Sequence, residues 1–277
     1  MLHTSKQTLS IYPHLKFMTE SMFKCQLLRY PTKHVSIIRV SMMLRIVVMN
    51  PKGGCGKTTL STNLASYFSN KGEITTLMDL DPQGSSVFWA HKRPEKAAEI
   101  QLVDAHHCPH NVTRSWAIQP PRNTDVLVLD TPARPDLISL NPLLKEASAI
   151  LLPVLPNEFD LHAIANTIQQ IQRSLPNQQN IALVFNRSPK TTRLKKQIDQ
   201  LSEQLGLPVI ATLRDTRNYI QAAAHGLGIC EMNGAHYKRD KIDLTRIAQW
   251  CERGRPDEDS TTFRQINPDT IALASNA

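Results

Sequence analysis

"MNPKGGCGKTT", residues 49–59, sets three glycines, two lysines and two threonines between a short apolar run and a helix-like stretch. A loop that cradles phosphate follows G-x-x-x-x-G-K-[ST], with one lysine and a first glycine five residues before the second. Pro51 stands at that first place, while Gly56, Lys57 and Thr58 stand as the loop requires and Lys52 adds a cation at its entrance. The strict pattern fails, yet the chemistry survives. Gly53, Gly54 and Gly56 accept backbone angles closed to other residues and let N–H groups approach phosphate oxygens. A helix from Thr58 adds its N-terminal dipole. Lys57 is placed to reach the β- and γ-phosphates, and the Thr58 hydroxyl to ligate Mg²⁺.

Acids follow where a nucleotide hydrolase needs them. Asp130 ends the apolar run "VLVLD", the context of an aspartate that holds Mg²⁺ directly or through water. Asp79 and Asp81 lie in "LMDLDPQGSS" after a second apolar run. A carboxylate near the γ-phosphate can orient or deprotonate the attacking water, and Pro82, Gln83 and Gly84 form a loop able to respond to it.

The surrounding chain supplies the scaffold. From residue 44 onward, "LRIVVMN" (44–50), "ITTLMD" (74–79), "VLVLD" (126–130), "AILLPVL" (149–155) and "IALVFN" (181–186) read as buried strands of a parallel sheet, with a weaker one in "EIQLVDA" (99–105). Ile164, Ile168, Ile171 and Leu175 repeat at helical spacing before Pro176, as do Leu194, Ile198, Leu201 and Leu205 before Gly206. This βαβ rhythm predicts a doubly wound α/β fold with a mostly parallel sheet flanked by helices. Ligands of such sheets bind beyond the carboxyl ends of the strands, where these acids fall.

Composition sets the bounds. With 277 residues, 41% hydrophobic and 20% charged, the chain is long enough for one large or two small globular domains. No stretch approaches the ~18 apolar residues of a spanning helix, and five scattered cysteines suit a reducing cytosol. The formal charge of +8 suggests an anionic partner, but residues 1–41 alone carry six Lys or Arg against Glu20. That segment lacks the apolar core and cleavage pattern of a secretory signal and shows no periodicity. Initiation at Met42 or Met43 is the favoured reading, which leaves a basic leader (1–41), a catalytic body (42–253) and a disordered tail (254–277).

Taken together, "KGGCGKTT", "DLDPQGSS", "VLDTPA", "LLPVLPNEFDL", "FNR" and "LRDTRNYIQAAAHGLGI" resemble the ParA/MinD group of deviant Walker A ATPases over residues 43–253. "DPQG" favours the ParA side. The resemblance implies a P-loop NTPase fold, ATP and Mg²⁺ as cofactors, and a homodimer that sandwiches ATP. It implies a nucleotide loop of Lys52, Gly53, Gly54, Cys55, Gly56, Lys57, Thr58 and Thr59. Lys52 becomes the lysine that crosses to the partner's phosphates, where a cation donated in trans offsets the repulsion of two triphosphates. Asp81 matches the hydrolytic aspartate and joins Thr58 and the Walker B acid Asp130 in the Mg²⁺ site, and Asn186 matches the adenine-contacting amide, with Arg214 and Asp215 near the base. Cys55 reads as a tolerated thiol.

The same resemblance implies non-specific binding to nucleoid DNA, a cytoplasmic location, and a ParB-like or other cargo adaptor that stimulates hydrolysis. Arg187, Lys190, Arg193, Lys195 and Lys196 lie within ten positions free of acids, and Arg217, Lys238 and Arg239 follow. Doubled by a two-fold axis, these form a phosphate-binding strip. A MinD-like membrane ATPase is the alternative, but residues 254–277 hold Arg255 and Arg264 against Asp257, Glu258, Asp259 and Asp269, the wrong balance for anionic lipid. "AHHCPH" (105–110) reads as a loop rather than a metal site, and Trp89 with His91, Lys92 and Arg93 as a surface helix with one apolar anchor.

Overall fold

β-Branched runs too short for helices form the strands, and the helices between them carry one apolar stripe each. The computed structural model describes residues 43–106, 119–135, 137–175, 180–189 and 192–255; side chains at 192–195 and 197 lie outside the description. The strands are β1 (Leu44–Val48), β2 (Thr75–Asp79), β3 (Gln101–Asp104), β4 (Val126–Asp130), β5 (Ala149–Val154), β6 (Ile181–Ser188) and β7 (Val209–Arg214). The helices are α1 (Lys57–Asn70), α2 (Ser85–Ala90), α3 (Leu137–Lys145), α4 (Glu158–Ser174), α5 (Thr192–Leu205), α6 (Asn218–Ala224) and α7 (Lys238–Glu252).

All pairings are parallel, in the order β3-β2-β4-β1-β5-β6-β7. Two apolar layers cover the sheet. Leu60, Leu64 and Phe68 of α1, Trp89 of α2, and Leu244, Ile247 and Cys251 of α7 pack on one face. Leu140 and Leu144 of α3, Ile164, Ile168 and Ile171 of α4, and Ile198 and Leu201 of α5 pack on the other. The helices after β1 and β4 therefore leave opposite faces although the two strands are neighbours. That divergence opens a crevice at their carboxyl ends, the usual ligand position in doubly wound sheets.

The expected α/β class and its six strands are present, with ends shifted by one or two residues. A seventh strand, Val209–Arg214, and helix Lys238–Glu252 escaped the sequence reading. The "LPVIATLR" stretch carries only a short apolar run, and its strand stands at the sheet edge with three half-buried residues. One expectation needs correcting. Trp89 is the anticipated anchor, 4% exposed, but Arg93 is not a surface residue. Its guanidinium is folded inward over the Trp89 ring and ion-pairs at 2.8 Å with Glu231, both side chains under 10% exposed. Only the fold brings that acid, 138 residues away, to the end of α2.

Candidate nucleotide site

Loop 49–56 leaves β1 at the crevice and feeds α1. Buried Asn50 fixes its start: the side-chain amide donates to the Pro153 carbonyl on β5, and its Oδ1 accepts the Lys52 N–H at 2.8 Å. Gly54 (φ 74°) and Gly56 (φ 103°) take left-handed backbone that other residues resist. At Gly56 a Cβ would also lie 2.2 Å from Asn186 Nδ2, so any side chain there would displace that amide. At Gly53 and Gly54 the space is open, with no heavy atom within 4 Å of an added Cβ. The N-terminus of α1 has neither a capping side chain nor an acid in its first turn. Its free N–H groups and dipole face that opening, as an anion site requires.

The two lysines differ in state. Lys57 is 7% exposed, and its ammonium donates to the Lys52 carbonyl at 2.9 Å, which holds it folded across the loop. The Lys52 ammonium has no hydrogen bond or ion pair with a described residue, and the side chain is half-buried. Cys55 is fully buried, and burial pushes its thiol up against the pull of Lys57, which suits an inert packing role. Asn186, at the end of β6, donates to the Cys55 carbonyl at 2.9 Å. Thr59 and Asn186 line the same small recess beside Gly56.

On the β4 side, Asp130 is 1% exposed and accepts from Ser86 Oγ at 2.6 Å and Ser61 Oγ at 3.3 Å. Burial pushes its carboxyl up to about 6, against hydrogen bonds from Ser86 and Thr58. Ser61 and Ser86 were missed in the sequence: serines are common, and only the fold aims these two at one carboxylate. Asp79 and Asp81 part ways. Asp79 is fully buried and accepts the N–H groups of Ser86 (3.0 Å), Val87 (3.1 Å) and Asp81 (2.9 Å), so it organises the loop and caps α2. Asp81 is half-exposed; one oxygen accepts the Gln83 N–H at 3.0 Å and the other has no hydrogen bond among the described residues.

Arg214 is engaged elsewhere. Its Nε and Nη2 donate to the two Asp240 oxygens at 2.7 and 2.8 Å, tying the end of β7 to α7, while Asp215 is exposed. Among the described residues, the basic positions do not gather on one face. Lys196 on α5 and Lys238 and Arg239 on α7 belong to helices covering opposite faces, with exposed Arg187 and Arg217 at strand and helix ends. Arg239 also pairs with Asp243 at 3.1 Å. Lys190 and the side chains of Arg193 and Lys195 lie outside the described residues, as does most of "AHHCPH" and the tail from 256. Among the described residues no helix is long and apolar enough to cross a membrane.

A family model for the CobQ/CobB/MinD/ParA nucleotide binding domain, CbiA, matches residues 46–229, the loop and both acids included. The chain belongs to this family. Within reach of it, "Maintenance of carboxysome distribution protein A" of Halothiobacillus neapolitanus is 31% identical over 73% of this chain and 93% of its own length. "Chromosome-partitioning ATPase Soj" of Thermus thermophilus is 28% identical over 61% of this chain and 80% of its own. Two solved structures share the fold. The Cyanothece McdA–ATP complex has a TM-score of 0.58 at 15% identity, covering 77% of this chain and 96% of that one. A putative plasmid partition protein from Borrelia burgdorferi bound to AMPPNP has a TM-score of 0.57 at 17% identity, covering 75% and 99%.

Proposed function

We propose that this chain is a Mg²⁺-dependent, ParA-like ATPase that closes into an ATP-sandwiched homodimer, binds DNA without sequence preference, and positions a cargo through adaptor-stimulated hydrolysis. The cargo is a plasmid, a chromosome region or a protein assembly. A triphosphate fits the loop because the open glycine cradle, the uncapped α1 N-terminus and Lys57 supply donors and positive charge. Thr58, Asp81 and Asp130 would supply hard oxygen ligands for Mg²⁺, which characteristically takes its remaining ligands from phosphates and water. Bound Mg²⁺·ATP would bring the electrophilic phosphorus, and the metal would offset the charge that builds on it.

This chain's own residues do the rest. Lys57 is released from the Lys52 carbonyl to the phosphates, and the half-exposed Asp81 orients or deprotonates the attacking water. Asn186, in the recess beside Gly56 and Thr59, is the candidate adenine contact, with the exposed Asp215 as a further one, while Arg214 holds β7 to α7 through Asp240. The carrying observation is the Lys52 ammonium, unpartnered among the described residues at the rim of a site whose other cation is held in place. A cation so placed suits phosphates brought up by a second copy. Relatedness to a carboxysome-distribution protein and a chromosome-partitioning ATPase, at 31% and 28% identity, supports the positioning role. Nucleoid association would follow from the proposed DNA binding.

The test separates the lysines. Lys57→Ala abolishes tight ATP binding, whereas Lys52→Ala keeps monomeric binding and blocks the ATP dimer, as light scattering with ATP and Mg²⁺ reads out. A Lys52→Ala variant that dimerises like the parent refutes the assignment. Sedimentation with anionic liposomes beside a DNA mobility shift separates the DNA reading from a MinD-like one.

A further inference from the structure

Among the described residues only Arg134 and Arg187 combine a side chain with positive φ, at 53° and 48°. For an L-residue with a long side chain this backbone is disfavoured, and such strain persists at ligand clamps when neighbouring contacts impose it. Around Arg134 those contacts are visible. The Thr131 hydroxyl and N–H both donate to the Val48 carbonyl, at 3.0 and 3.3 Å, and the Arg134 N–H donates to the Pro51 carbonyl at 3.0 Å. The chain leaving Asp130 is thus fastened along the exit of β1 and onto the phosphate loop. Pro51 O holds Arg134, and the next carbonyl, Lys52 O, holds Lys57.

The result is a third cation at the loop. Arg134 is exposed, and its guanidinium has no partner among the described residues. If solvation were its whole role, an unstrained residue would serve as well, since the backbone bond to Pro51 needs no side chain. A glycine would accept the φ without strain. We propose that Arg134 is a phosphate-binding residue of the nucleotide site, a second arm beside Lys52 that engages triphosphate oxygens when two copies close on ATP. This rests on the dimer proposed above. Its planar fork suits bidentate contact with phosphate, whereas Lys52 offers a point charge. An exposed cation gains little from a distant anion in water, but the contact strengthens once a second subunit excludes solvent.

Arg134→Gly removes the cation while relieving the backbone, and Arg134→Lys keeps a charge in the same strained position. In full-length chain with ATP and Mg²⁺, we expect Arg134→Gly to raise the protein concentration of half-dimerisation at least tenfold although its apo melting temperature does not fall. Arg134→Lys should recover part of that loss. A glycine variant that dimerises at the parent's concentration, or a lysine variant no better than glycine, overturns the assignment. A parent that stays monomeric with ATP removes the proposed dimer itself and this residue's role with it, whereas a parent that dimerises keeps the two outcomes apart.

Discussion

Arg93→Ala is expected to destabilise the apo protein by about 3–4 kcal/mol, although the residue lies outside the nucleotide loop. The guanidinium donates to Glu231 at 2.8 and 3.0 Å, to the Ala98 carbonyl at 2.7 Å and to the Gly226 carbonyl at 3.1 Å. Breaking a buried ion pair by removing one partner costs roughly 3–5 kcal/mol, because the other charge is left without compensation. Here Glu231 keeps the Gly228 N–H at 2.7 Å and the Asn70 amide at 2.9 Å, which places the electrostatic loss near the lower end. Loss of the cation from the Trp89 ring adds about 0.5–1 kcal/mol. At roughly 2–4 °C per kcal/mol for a body of this size, the melting temperature should fall by about 10 °C.

Urea denaturation of parent, Arg93→Ala, Glu231→Leu and the double variant gives the measurement. The double variant should cost less than the two single changes summed, by about 2 kcal/mol or more. pH supplies a second arm. Burial pushes the Glu231 carboxyl up, but Arg93, the Gly228 N–H and Asn70 together hold it below the usual range. A depressed folded pKa means that its stabilisation is fully present above the unfolded value of about 4.3 and is lost as pH falls through the folded one. The gap between parent and Arg93→Ala should therefore narrow in acid. A loss under about 1 kcal/mol at pH 7, with no coupling, would refute the reasoning.

Two further outcomes bear on function. Asp81→Ala should bind ATP and accumulate as a DNA-bound dimer while phosphate release falls by roughly a hundredfold or more, and wild-type turnover in a phosphate-release assay would sink the assignment. Replacing Lys196, Arg217 and Lys238 with Glu should weaken DNA binding uniformly across unrelated duplexes and lower the salt slope by about one per lost phosphate contact, with dimerisation spared. An unchanged slope in a mobility-shift titration would clear those positions of DNA contact.

Much of the site was legible because its chemistry is local. Gly56, Lys57 and Thr58 are adjacent, and Asp130 ends a run of four apolar residues that reads as a buried strand. What could not be read depends on distant partners. Arg214 looked available for a base, yet it is held by Asp240, 26 residues on. Spacing alone did not separate Asp79 from Asp81, and only the family resemblance favoured Asp81; the turn into α2 drew Asp79 inward as a cap and left Asp81 half-exposed. Arg93 looked like one cation among three on a surface helix, and Ser61 and Ser86 carried no signal at all.

Strand periodicity, the glycine spacing and the placement of lysines and acids are properties of neighbouring residues, and backbone sterics and side-chain alternation make them readable one stretch at a time. They determined the α/β class, the phosphate loop and the carboxylates beyond the strand ends. The order in which strands pair was settled only when helices from β1 and β4 packed on opposite faces, because burial rewards contacts irrespective of sequence separation. That packing opened the crevice, brought Ser61 and Ser86 to Asp130, and buried Arg93 against Glu231. It also divided the described basic residues between two faces and fastened Arg134 to the loop, since hydrogen bonds and ion pairs act through distances that the chain order does not contain.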